Sequence, residues 1–85
     1  MAYTVIYQAS AEAILRKLPK EIQTRITRKI AQLGEDPYPH GTEKLSTHTN
    51  LWRIRIGDYR VIYTVEHKEL LVLVLKIGHR RDVYR

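Results

Sequence analysis

The sequence contains no cysteine. That excludes a disulfide framework and any thiolate metal site, and it agrees with a reducing, cytoplasmic compartment. Long uninterrupted apolar runs are missing too: Glu66, His67, Lys68 and Glu69 break the one extended apolar stretch, so no membrane span is expected. The opening MAYTVIYQAS has neither the basic n-region nor the long apolar core of a signal peptide, and no export signal is expected. There are no internal repeats and no low-complexity segments. With 85 residues the chain has room for one small domain, residues 1–85, and no second core. Domains of this size fold alone with little margin, so a bound partner can add substantially to their stability.

What the chain does have is positive charge, a formal +6 with a pI near 9.8. Residues 44–85 hold nine basic side chains (Lys44, Arg53, Arg55, Arg60, Lys68, Lys76, Arg80, Arg81 and Arg85) against four acidic ones (Asp58, Glu66, Glu69 and Asp82), a net +5. The first 43 residues carry the remaining +1. A basic half of this kind is the electrostatic footprint of a polyanionic partner, most often nucleic acid, although acidic proteins also bind basic domains.

Tyr3 to Tyr7 is a β-branched and aromatic run that predicts a first strand. Ser10 before Ala11-Glu12-Ala13 predicts a helix N-cap with an acidic first turn, and Ile14 with Leu18 supplies the buried stripe of a short helix. Leu18-Pro19 ends that helix and starts the next, because proline disfavours a helical residue before it and suits a first turn itself. The second helix, Pro19 to Leu33, has Ile22, Ile26, Ile30 and Leu33 on one stripe with Arg25, Arg28 and Lys29 off it, and stops at Gly34. Glu35 to Thr49 is rich in Pro, Gly, Ser and Thr and predicts a turn-rich connection packed over the domain. Leu70 to Leu75 predicts a central strand covered on both faces and closed by Gly78. The expected class is therefore α+β, in the order β-α-α-β-β-β: a mainly antiparallel sheet with the helices on one face.

Between Leu51 and Tyr63 the chain reads LWRIRIGDYRVIY, two alternating strands joined by Gly57-Asp58. A two-residue loop beginning with Gly suits a type II′ turn, which sets Ile56 opposite Tyr59, Arg55 opposite Arg60 and Arg53 opposite Ile62. Trp52, Ile54, Ile56, Val61 and Tyr63 then share the apolar face, and the three arginines share the other. Like charges directly opposite each other destabilise a ladder. An anion between Arg55 and Arg60 resolves that conflict, and phosphate fits bidentate guanidinium geometry best. The plainer alternative is a solvated outer face whose arginines keep the protein soluble.

The tail reads Gly78-His79-Arg80-Arg81-Asp82-Val83-Tyr84-Arg85. Following a central strand, His79 and Arg80 are expected to emerge beside the strands that carry Arg55 and Arg60. The hairpin LWRIRIGDYRVIY, the tail IGHRRDVY, the helix pair split at Leu18-Pro19 and the Pro-His-Gly loop leading to Lys44-Leu45 together resemble the RelE toxins of the RelE/ParE superfamily of bacterial toxin–antitoxin pairs. The resemblance covers nearly the whole chain.

It implies a RelE-like fold and an endoribonuclease that enters the ribosomal A site and cuts messenger RNA there without metal or other cofactor. The ribose 2′-OH attacks the neighbouring phosphate, leaving a 2′,3′-cyclic phosphate and a 5′-OH. That chemistry requires activation of the 2′-OH, stabilisation of the charged phosphorane and protonation of the leaving oxygen. Carried over by the resemblance, Arg60 stabilises the transition-state phosphate and Arg80 assists the leaving group. Tyr84 serves as base or as stacking surface, and Arg53 and Arg55 hold substrate backbone and lower the pKa of neighbouring groups. Lys44, Arg81 and Arg85 join the expected RNA-binding set. A cognate antitoxin, the ribosome and messenger RNA, with ribosomal RNA beside it, are the implied partners.

Two departures bear on the proton carrier. Some members have lysine where this chain has Arg53 and Arg55, and lysine at the position of His79. Arginine keeps the charge but is a poor proton acceptor, since its pKa stays above about 12. Tyrosine, with an ordinary pKa of about 10, can act as base where cations depress it. His79, ordinarily near about 6.5, is a second candidate. Tyr84 can equally anchor the tail, His79 can be a phosphate donor or exposed side chain, and Arg81 and Arg85 can be solvated charge. His40, His48 and His67 fall in loops without metal-ligand spacing, and no metal site is expected. A ParE-like DNA gyrase inhibitor and a noncatalytic RNA-binding module share the same fold and charge and remain alternatives.

Overall fold

The computed structural model describes residues 2–47 and 49–79. Its elements are β1 (Thr4–Tyr7), α1 (Ala9–Arg16), α2 (Lys20–Leu33), β2 (Glu43–Lys44), β3 (Trp52–Ile56), β4 (Tyr59–Glu66) and β5 (Leu71–His79). They build one five-stranded mixed sheet in the order β1-β5-β4-β3-β2, with β1 parallel to β5 and the remaining neighbours antiparallel. This is the expected α+β class with one strand more than expected, since Glu43-Lys44 of the turn-rich connection pairs with Trp52 and Arg53.

The helices cover one face. Ala11 and Leu15 of α1 and Ile26, Ile30 and Leu33 of α2 are buried in one cluster with Ile54, Ile56, Val61, Tyr63, Val65, Val72, Val74 and Ile77 of the sheet. Each fully buried Val, Leu or Ile of this cluster contributes about 1.5–3 kcal/mol through burial. The opposite face carries Arg53, Arg55, Arg60, Ile62 and Thr64 by strict alternation along β3 and β4.

Alternation fails along β5. Val72 and Val74 face the helices, yet so does Ile77, because a bulge inserts Leu75 between the pairs Tyr63–Val74 and Ile62–Lys76. From the bulge onward every side chain changes face, which places Gly78 opposite Arg60 and His79 opposite Tyr59.

Several local expectations are corrected. The N-cap of α1 is Gln8, not Ser10: the Gln8 amide donates to the Val74 carbonyl at 2.9 Å, so pairing with β5 sets where the chain turns into the helix. Helix α2 starts at Lys20 with Pro19 as its N-cap. Gly34 ends α2 at φ −66°, an ordinary helical value; glycine eases close packing there, since a Cβ would lie 3.0 Å from the Tyr3 carbonyl oxygen. β5 does not stop at Gly78 but runs through it to His79. Nor is β5 covered on both faces: Val72 and Val74 are buried while Leu71 and Leu73 on the other side are half-buried, since both helices lie on one side. The connection before β2 does pack on the domain, where the Tyr63 hydroxyl donates to the Pro37 carbonyl at 2.5 Å.

Candidate functional site

The β3–β4 hairpin forms as its sequence demands. φ is positive at Gly57 (61°) and not at Asp58, the signature of a type II′ loop. The register pairs Ile56 with Tyr59, Arg55 with Arg60 and Arg53 with Ile62. Three guanidinium groups therefore share one sheet face. Arg60 is only 9 % exposed although it is charged, and its neighbour on β5 is Gly78, which brings no side chain to that face. A glycine at such a strand position leaves room for close approach of a ligand or another backbone.

An anion does lie among these arginines, and it comes from the chain itself. Glu43 on β2 is opposite Arg53, and its Oε1 accepts from Arg53 Nη2 at 2.5 Å and lies 3.9 Å from Arg55 Nη2. The hydrogen bond and charge of Arg53, then the charges of Arg55 and Arg60, hold the Glu43 carboxyl below the usual carboxylate range. The Arg53 side chain is 11 % exposed, whereas the Arg55 side chain remains 60 % exposed. Sequence reasoning missed Glu43. The only signal available was an isolated acid next to Lys44 in a segment read as turns, and its meaning appears only when β2 pairs with β3. The loop that delivers β2 is anchored by Tyr63, whose hydroxyl is pushed up from its ordinary pKa chiefly by burial.

Other expected site residues lie elsewhere. Lys44 alternates with Glu43 onto the helix side, where its Nζ sits 5.6 Å over the Trp52 ring. His79 is also on the helix side, edge-on to Tyr59 with ring centroids 5.5 Å apart. The structure thus brings Arg53, Arg55 and Arg60 together and separates Lys44 and His79 from them. Arg80, Arg81, Tyr84 and Arg85 lie outside the described residues, as does His48. His67 ties two segments together: its Nδ1 is 2.8 Å from the Tyr3 hydroxyl and its Nε2 is 2.8 Å from that of Tyr38. Among the described residues no three His, Asp or Glu side chains gather as a metal site requires, and no helix is long and apolar enough to cross a membrane.

Guanidinium groups on a sheet, one of them largely buried, beside the Glu43 carboxylate form a surface suited to an oxyanion. Comparison with known proteins is consistent with this architecture. Residues 5–84 match the family described as the ParE toxin of the type II toxin–antitoxin system, parDE. Toxin RelG of Mycobacterium tuberculosis is 29 % identical over 86 aligned positions, covering 100 % of this chain and 99 % of that protein. The archaeal RelE in the crystal structure of the RelE–RelB complex from Pyrococcus horikoshii superimposes with a TM-score of 0.84 at 32 % identity, covering 96 % of this chain and 99 % of that one. The M. tuberculosis toxin–antitoxin complex RelBE2 gives 0.83 at 26 % identity, covering 96 % and 95 %. The chain belongs to the RelE/ParE family of toxins from type II toxin–antitoxin systems.

Proposed function

We propose that the chain is an endoribonuclease that cuts messenger RNA in the ribosomal A site, halting translation, and that an antitoxin holds it inactive. The observation that carries this reading is the Glu43 carboxylate seated among Arg53, Arg55 and Arg60. A surface that organises guanidinium groups around its own oxyanion is suited to a phosphate in the same place, and preorganised cations act most strongly where charge develops. As the 2′-OH attacks, the phosphorane gains charge beside Arg60, whose burial among β3, β4 and β5 keeps its guanidinium in position.

Displaced from the arginines by the incoming phosphate, Glu43 becomes an ionised carboxylate next to the reacting group, able to accept the 2′-OH proton. Its pKa rises as the phosphate takes over the guanidinium charge, which improves it as a base. Arg80 and Tyr84, by resemblance to RelE toxins, assist the leaving oxygen and stack on or activate the substrate. His79, facing Tyr59, is better placed to hold the strand end than to carry the proton. The relatives from P. horikoshii and M. tuberculosis were solved with their RelB or antitoxin partners. By that likeness an acidic or amphipathic antitoxin segment blocks the arginine face or displaces the tail.

Primer extension on a translated message, with and without ribosomes, tests the reading. Discrete A-site cuts that need the ribosome are expected. The match to ParE favours a second reading, inhibition of DNA gyrase. A supercoiling assay in parallel separates the two: inhibited gyrase with intact message would replace the nuclease by the gyrase inhibitor.

A further inference from the structure

Beside the arginine face lies a second basic surface. β2 pairs only with Trp52 and Arg53, so the remainder of β3 has no strand on its outer side among the described residues. Helix α2 runs along this open edge. Arg25, Arg28, Lys29 and Gln32 recur at helical spacing on one face of α2, and with Arg55, Ile56 and Gly57 they line an open cleft. The Arg25 guanidinium rests against the β3–β4 turn, 3.2 Å from where a Cβ of Gly57 would be. A neighbouring cleft, between Lys29, Glu43, Ile54 and Arg55, continues the surface toward the arginine face. Arg55 belongs to both clefts and to the arginine face.

Among the described residues no carboxylate lies within ion-pair distance of Arg25, Arg28 or Lys29. These three cations, together with Arg55, which shares Glu43 with Arg53, meet a lining whose apolar members, Ile54 and Ile56, are already 2 % and 9 % exposed. A peptide partner draws most of its affinity from apolar and aromatic anchors set in pockets, and here almost no apolar surface is left to bury. A sugar–phosphate backbone needs only the charge.

We propose that the α2–β3 cleft is a second RNA-backbone site, which carries a single RNA strand from the arginine face across the open edge of β3 to Arg25, Arg28 and Lys29. The proposal rests on the reading of the chain as an RNA-cutting toxin and extends it. The cut is made on the arginine face, and the cleft holds strand that is not cut. It therefore sets the length of RNA engaged, while the chemistry depends on Arg60.

The test measures binding of 2′-O-methyl RNA, which cannot be cut, as a tetranucleotide and as a dodecanucleotide. The wild-type chain is compared with Arg25→Gln/Arg28→Gln/Lys29→Gln. The short RNA should bind both proteins alike. For the long RNA, loss of three phosphate contacts should reduce the slope of log affinity against log salt by about 2, so that wild-type affinity falls about twentyfold more than the variant's between about 50 and 200 mM salt. The double variant Arg28→Gln/Lys29→Gln spares Arg25, which touches the turn, and should show about two-thirds of the effect if the triple variant does not fold. Equal slopes for wild type and variants on the long RNA would overturn the proposal while leaving the nuclease reading intact. Weakened binding of a poly-glutamate peptide with unchanged RNA binding would assign the cleft to an acidic protein and also overturn it. A wild-type chain that binds neither RNA would also overturn the proposal, while the nuclease reading stands or falls by the ribosome-dependent cuts in primer extension.

Discussion

Replacing Arg60 by methionine separates function from stability at the centre of the site. Methionine keeps an unbranched stem in the buried position and removes the guanidinium. Arg60 sits directly opposite Arg55, a like-charge pair that works against the ladder, and its attraction to Glu43 involves a carboxylate that remains half exposed. These two effects oppose each other, so the variant should stay folded, with a stability loss of at most about 3 kcal/mol. Catalysis should respond far more. Loss of one donor to a developing oxyanion removes about 2.7–4 kcal/mol, a rate loss of about a hundredfold to a thousandfold. Lys76→Met is the matched control, since Lys76 pairs with Ile62 on the same sheet side and is exposed; it should leave the rate within about threefold, as expected for a contact that only positions substrate. Single-turnover cleavage of a ribosome-bound message gives the rates and calorimetry gives Tm. If Arg60→Met cuts at the wild-type rate, the assigned role is wrong; if Tm collapses, Arg60 is a structural residue and its burial has another purpose.

Glu43→Gln should bind RNA with a salt slope steeper by about 0.7, because one more phosphate contact replaces the internal ion pair, while single-turnover cleavage slows through loss of the proton acceptor; tighter binding with unchanged cleavage would remove Glu43 from the chemistry. The depressed Glu43 pKa makes its contribution to stability present above the ordinary carboxylate value and lost as pH falls through the depressed one, so acid titration of Glu43→Gln should show a shallower fall in Tm. Tyr63→Phe breaks the bond to Pro37 and should cost about 1–3 kcal/mol at neutral pH by leaving a buried carbonyl unsatisfied. Because the Tyr63 pKa is raised, its contribution is full below about 10 and is lost as pH rises through the raised value, so the phenylalanine variant should lose less stability in alkali, as read by pH-dependent denaturation. Gly57→Ala forces an L side chain to φ 61° and should destabilise the hairpin by about 1–2 kcal/mol in urea titration. Tyr84→Phe should slow cleavage more than His79→Ala, since His79 packs edge-on against Tyr59 away from the arginines; the reverse order in single-turnover assays would give His79, not Tyr84, a part in the chemistry beside Glu43.

The hairpin was legible in the sequence because each of its instructions is local. Alternation assigned the faces, Gly57 selected the turn, and the turn set the register that pairs Arg55 with Arg60. The amphipathic stripe of α2 and the break at Leu18-Pro19 were equally local. What required tertiary structure was every relation between segments distant in the chain. Glu43 counted with the nearly neutral first half of the sequence, yet β2 pairing carries it into the arginine face, where it pairs with Arg53 and Arg55. Leu75 reads as one more residue of an apolar run, but as a bulge it turns Gly78 toward Arg60 and His79 toward Tyr59, because one added residue inverts the facing of all that follow. Arg25, Arg28 and Lys29 read as the solvated side of a helix, and only packing of α2 along β3 brings them beside Arg55. Local backbone preferences thus specified the pieces and their faces, whereas which charges meet depended on pairings whose loop-closure and packing energies no short stretch of sequence contains.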